Sequence, residues 1–213
     1  ERSSAASDVY KRQISIGMMK PNKDDVIAWR GPILDRALTQ LLADVHWGDL
    51  DYLLLDLPPG TGDIAMSPGQ KVPTAEVLVV TTPQQAASEV AERAGTMAAL
   101  MNQKIIGVVE NMSWLAFTAP DTGKEYRIDL FGSGGGQEAA DALSKRLGTE
   151  VPLLAQVPMD IELRKGGDEG DPIVTAHPES PAAQAIVELA KNLDSRPRGL
   201  SGMHLGVSPT NNA

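Results

Sequence analysis

Two spacings of apolar residues alternate along the chain. Short aliphatic runs bounded by turn residues occur at 14–19 (ISIGMM), 51–57 (DYLLLDL), 76–82 (EVLVVTT), 104–110 (KIIGVVE) and 151–157 (VPLLAQV). Near-continuous apolar runs suit strands covered on both faces, as in a parallel sheet. Between them the period lengthens to that of a helix. Over 32–45, Leu34, Ala37, Leu38, Leu41 and Val45 form one apolar stripe. The next helix is expected to open with Thr82 as N-cap, Pro83 at its first position and Gln85 closing a capping box. Its buried face would be Ala87, Val90, Ala91, Ala94, Met97 and Met101. Further helices are expected over 135–147, after the glycines of FGSGGG, and over 181–193, after Ser180 and Pro181. Alternation of this kind predicts right-handed crossovers and an α/β fold with a doubly wound, mostly parallel sheet.

Neither end continues the pattern. Residues 1–13 have no usable period and are expected to form a non-native or disordered leader, leaving one domain over 14–193. Residues 194–213 are polar and rich in glycine and proline, which predicts a flexible tail. Composition adds exclusions. Only 4% of the 213 residues are aromatic, so aliphatic side chains must fill the core. A formal charge of -9 repels DNA and anionic lipid, so neither nucleic acid nor membrane is an expected partner. A nucleotide stays compatible, because backbone amides and one or two cations hold it locally. The absence of cysteine excludes disulfides and any thiolate-ligated zinc or iron–sulfur site built from this chain alone. No run approaches the roughly 18–20 apolar residues of a membrane span, and no signal peptide is visible, so a cytoplasmic protein is expected. His46, His177 and His204 have no metal-binding spacing.

The stretch DLPPGTGD at 56–63 carries the first specific chemistry. In an open α/β sheet, ligands sit beyond the carboxyl ends of the strands. A carboxylate placed there, at Asp56, can hold a water of Mg²⁺, an ion that keeps several waters and few protein ligands. Pro58 and Pro59 stiffen the exit, and Gly60 and Gly62 let backbone N–H groups approach a phosphate. The stretch reads as a Walker-B-type strand entering a γ-phosphate-sensing switch, or as an ordinary strand end with a proline turn.

WGDLDYLLLDLPPGTGD, VVTTPQQAASEVAERA and GVVENMSW together resemble the Mrp/ApbC group of MinD-like P-loop ATPases. The resemblance runs in order from about Ile14 to Gly206 and includes SIGMM, WRGP at 29–32, FGSGGG at 131–136 and VPLLAQVPMD at 151–160. It implies a homodimeric, Mg²⁺-dependent ATPase that binds ATP and passes an iron–sulfur cluster to apo iron–sulfur proteins. Under it, Asp56 matches the switch II aspartate near Mg²⁺, and Gly60 the glycine whose amide faces the γ-phosphate. Asn111 matches an asparagine that reads the adenine edge, for which its amide offers a donor and an acceptor. Pro158 and Asp160 lie where the base-proximal loop passes. Without the resemblance, Asn111 reads equally well as a strand-end turn residue.

Two parts of the family pattern are missing. No G-x-x-x-x-G-K-[ST] occurs, since the one Gly-Lys pair, Gly123-Lys124, is followed by Glu125. The expectation is therefore the C-terminal part of a longer protein, lacking the first strand and Walker A loop and weak or inactive in hydrolysis alone. The family's C-x-x-C is also absent; WLAFTAPDTGKEYRID at 114–129 reads instead as a hairpin with Asp121, Thr122 and Gly123 at its tip. The glycines of FGSGGG suit a tight helix entry or an anion nest. A non-catalytic interaction module that keeps the fold is the alternative to the ATPase. A membrane- or DNA-positioning ATPase is disfavoured by the polar tail and the acidic charge.

Overall fold

The computed structural model describes residues 13–15, 31–57 and 68–196. Its elements are α1 (Gly31–Ala43), α2 (helical at 68–71 among the described residues), β1 (Glu76–Thr81), α3 (Gln85–Leu100), β2 (Lys104–Thr118), β3 (Glu125–Ile128), α4 (Gly135–Leu147), β4 (Leu153–Met159), α5 (Ile161–Glu169), α6 (Ile173–Ala176) and α7 (Pro181–Asp194). Most of the leader and tail, at 1–12 and 197–213, and residues 16–19 of the first apolar run lie outside the described residues.

β2 is the spine of the sheet. β1 and β4 both run parallel to it, and β3 pairs antiparallel with its last residues. Leu115 is matched with both Met159 and Ile128, so β3 lies on the edge of β2 away from β4. Neighbouring residues of a strand face opposite ways, and β2 is apolar in both directions. Val108 joins a core with Val79, Ala91, Ala139, Ala140, Leu143 and Val151, under α3 and α4. Val109 joins a second core with Val157, Ile173, Ala182 and Ala183, under α6 and α7. Helices thus cover both faces, and the sheet is doubly wound and mostly parallel. Leu143 is 0% exposed; burying a side chain of that size contributes about 2–3 kcal/mol. α7 begins as its sequence dictates: Ser180 accepts hydrogen bonds from the Ala182 and Ala183 amides, with Pro181 in the first turn. The hairpin at 114–129 is present, closed by Ala119 and Lys124, with Gly123 at φ +65°. Arg127 lies over the Trp114 ring at 4.1 Å.

Two sequence expectations fail, and for related reasons. The run at 51–57 is not a strand. Residues 52–57 join no ladder, and Leu54 is 89% exposed. An apolar run becomes a strand only when a neighbour supplies backbone partners, and among the described residues β1 is paired with β2 alone. The second concerns α3, whose buried residues are Ser88, Ala91, Gly95 and Ala98. Val90 of the expected face is 53% exposed, because this side of the helix overhangs the open edge of β1. The helix also starts later than expected: Gln84 is its N-cap, with no side-chain bond. Tertiary docking sets this start, since Ser88 Oγ donates to the Gly135 carbonyl at 2.8 Å and α4 abuts the Pro83 carbonyl.

Candidate functional site

The carboxyl ends of β1 and β4 meet the middle of β2 around residues 81–82, 156–160 and 110–113, so the sequence expectation of a strand end at Asn111 does not hold. Thr81 is opposite Glu110, Glu110 opposite Gln156, and Asn111 opposite Val157. Then the register breaks. From Asn111 to the next match at Leu115, β2 advances four residues while β4 advances two. Such a bulge re-aims side chains. Met112 takes φ +55°, an unusual value for a residue with a side chain. Asn111 Oδ1 accepts the Met112 amide at 2.9 Å, while its NH₂ group donates to nothing among the described residues. Below the turn, Ser113 donates to the Glu110 carbonyl at 2.9 Å, and both residues are buried.

A recess of about 670 Å³ lies beside β1, lined by Leu57, Val80, Thr82, Val90, Asn111 and Met112 among others. Its walls are mostly aliphatic, and the polar residues among them are Thr81, Thr82, Gln103 and Asn111. Thr82 Oγ1 is the one buried side-chain oxygen or nitrogen among the described residues with no hydrogen-bond partner. A buried hydroxyl left so costs about 1–3 kcal/mol unless something binds it. An amide NH₂ with no partner among the described residues, on the wall of a mostly apolar slot, suits a flat heterocycle with a polar edge.

The expected site residues are only partly gathered here. Asn111 lines the recess, and Pro158 is buried beside its strand partner Val157. Asp160 caps α5: its Oδ1 accepts the Glu162 and Leu163 amides at 2.7 and 3.2 Å, and its Oδ2 accepts the Ser180 hydroxyl at 2.6 Å. Burial would raise its pKa, but the Ser180 hydroxyl and the Leu163 and Glu162 amides, with His177 nearby, hold the carboxyl below its ordinary value. Those bonds commit both oxygens to the protein. Asp56 is exposed on the unpaired segment, and its neighbour Leu57 touches the recess. Gly60 lies outside the described residues. No group of three His, Cys, Asp or Glu suited to a metal occurs among the described residues.

Glu110, which the sequence reading passed over, is the most constrained group. It is 1% exposed. Its Oε2 accepts the Gly136 amide at 2.6 Å and its Oε1 accepts Gln156 Nε2 at 2.7 Å. The amino end of α4 is therefore closed by an internal carboxylate, and the glycines of FGSGGG serve a tight helix entry. A side chain at Gly136 would sit 2.6 Å from Glu110 Cβ. The signal was available in KIIGVVE, where a lone charge ends an aliphatic run.

A family model described as ParA, the NUBPL iron-transfer P-loop NTPase, matches residues 8–194. The chain is 54% identical over 197 residues to an iron-sulfur cluster carrier protein of Mycobacterium leprae, covering 92% of this chain and 50% of that protein. It spans about half the length of the curated relatives it matches. Among solved structures, a nucleotide-binding protein of Archaeoglobus fulgidus in complex with ADP is 35% identical, with TM-score 0.51 over 65% of this chain and 53% of that one. The septum site-determining protein MinD of Pyrococcus horikoshii, complexed with Mg-ADP, is 25% identical, with TM-score 0.54 over 84% of this chain and 60% of that one.

Proposed function

The chain belongs to the NUBPL iron-transfer P-loop NTPase family, and on that premise we propose that the intact protein binds an adenine nucleotide at the carboxyl edge of its sheet. The observation that carries this reading is the mostly aliphatic recess beside β1, which Thr82 and Asn111 line at the carboxyl edge of the sheet. Asn111 would read the base edge, with Pro158 behind its strand partner. Asp56 and Gly60 are assigned to the phosphate and Mg²⁺ side, and the nucleotide bound and hydrolysed is ATP. Asp160 belongs to the base side only through its loop, which its cap rigidifies. Nucleotide turnover in a cytoplasmic homodimer would then support delivery of an iron–sulfur cluster, the cargo, to apo-proteins. With no cysteine in the 213 residues, thiolate ligands for that cargo come from outside this sequence.

The test is titration of the intact protein with MgADP by calorimetry. Asn111→Ala should weaken binding about tenfold, the loss of one well-made polar contact pair. Unchanged affinity would remove Asn111 from the site. Failure of the unmutated protein to bind at millimolar nucleotide would sink the whole reading. A second reading, a non-catalytic interaction module, is favoured by the absence of G-x-x-x-x-G-K-[ST] from these residues. Saturable ATP turnover that Asp56→Ala abolishes would count against it.

A further inference from the structure

Within the nucleotide reading, on which this inference rests, we propose that Glu110 is a positioning residue that sets base preference through Asn111 without touching the nucleotide. Three elements converge on its carboxylate. It belongs to β2, its Oε1 takes Gln156 of β4, and its Oε2 takes the first turn of α4 at Gly136. Among the described residues no cation pairs with it, so its charge faces only an amide N–H, a side-chain amide and the positive end of a helix. Its own carbonyl is held by the buried Ser113 hydroxyl. The residue is thus fixed at both its backbone and its side chain. Asn111 follows it, still in register with Val157 and lining the recess, and directly after Asn111 the chain leaves the parallel register with Met112 in the left-handed region. A turn with that backbone holds only if its anchor does not move. Glu110 is that anchor, and it couples the base-reading corner to the position of α4.

The experiment uses the intact protein and measures dissociation constants for MgADP and MgGDP in Glu110→Gln, Glu110→Gln with Asn111→Ala, and Gln156→Met. Circular dichroism confirms folding of each. Glu110→Gln keeps the shape and removes the charge that closes α4. It should weaken MgADP about fivefold, a loss of the order of one hydrogen bond, and leave MgGDP nearly unchanged, so that the preference for adenine collapses. Adding Asn111→Ala should cost only about twofold more, reaching the tenfold loss of Asn111→Ala alone, because both changes act on one contact. Gln156→Met lies on an exposed position and should lower the preference in the same direction if Glu110→Gln does not fold. A folded Glu110→Gln protein with unaltered preference, or one that loses both nucleotides equally, overturns the proposal. Affinity lost in Asn111→Ala but kept in Glu110→Gln overturns it while the nucleotide reading stands. An unmutated protein that binds neither nucleotide overturns both.

Discussion

Gly136→Ala is the sharpest test of how α4 sits on the sheet. An alanine Cβ would lie 2.6 Å from Glu110 Cβ, 2.9 Å from its Oε2 and 3.1 Å from its Cγ. Glu110 Cβ is fixed to the backbone of the central strand and cannot rotate away. The helix must therefore retreat by about 1 Å to reach ordinary carbon–carbon contact near 3.5–4 Å. That retreat stretches the bond from the Gly136 amide to Glu110 Oε2, now 2.6 Å, past hydrogen-bonding range. Overpacking costs about 1–3 kcal/mol, and losing a bond to a buried charge about 1.5–3 kcal/mol. Alanine recovers at most about 1 kcal/mol of helix propensity. The net is a loss of about 1.5–5 kcal/mol, or roughly 3–20 °C in Tm for a domain of this size.

Gly167→Ala is the matched control. It also lies inside a helix, α5, but an added Cβ meets nothing within 4 Å. It should stabilise by about 0.5–1 kcal/mol. Thermal and urea unfolding of the three proteins settles the matter. If Gly136→Ala is as stable as the unmutated chain while Gly167→Ala behaves as stated, the close approach of α4 to Glu110 is wrong.

Other expectations follow from the same geometry. Leu143→Ala empties the centre of the core under α3 and α4 and should cost about 2–5 kcal/mol in urea unfolding; a loss below 1 kcal/mol would mean that core is not close-packed. Asp160→Ala removes the α5 cap and the bond from Ser180, for about 2 kcal/mol together. Because the Asp160 carboxyl titrates lower folded than unfolded, its stabilisation is full above its ordinary value of 3.8 and is lost as pH falls through the folded value. Asp160→Asn should therefore flatten the acid limb of a stability–pH curve below pH about 4 and leave its slope near neutrality unchanged; an acid limb of unchanged slope would show that the cap carries no charge-dependent stability.

The sequence marked strands and helices well where each segment's partners are close in the chain. β1, the first part of β2, α4 and α7 fall where the apolar periods put them, and the hairpin tip follows from its turn residues. What the periods cannot carry is whether a neighbour is there to complete an element. Segment 51–57 has the composition of a strand and no ladder, and the apolar side of α3 lines a recess, both where the described residues offer β1 no partner besides β2. The site divides in the same way. ENMS suggested a strand end with an asparagine, but β2 continues to Thr118, and the asparagine stands where a two-residue bulge begins. That bulge is anchored through Glu110 by Gly136 and Gln156, 26 and 46 residues further on. Short motifs record which groups a site uses; the anchors that aim them are spread across the chain, and here the anchor announced itself as a carboxylate directly after the aliphatic run of β2. A charge survives in such a place only if other elements satisfy it. Where a buried carboxylate adjoins a binding motif, the groups that satisfy it are therefore the first place to look for what orients the motif.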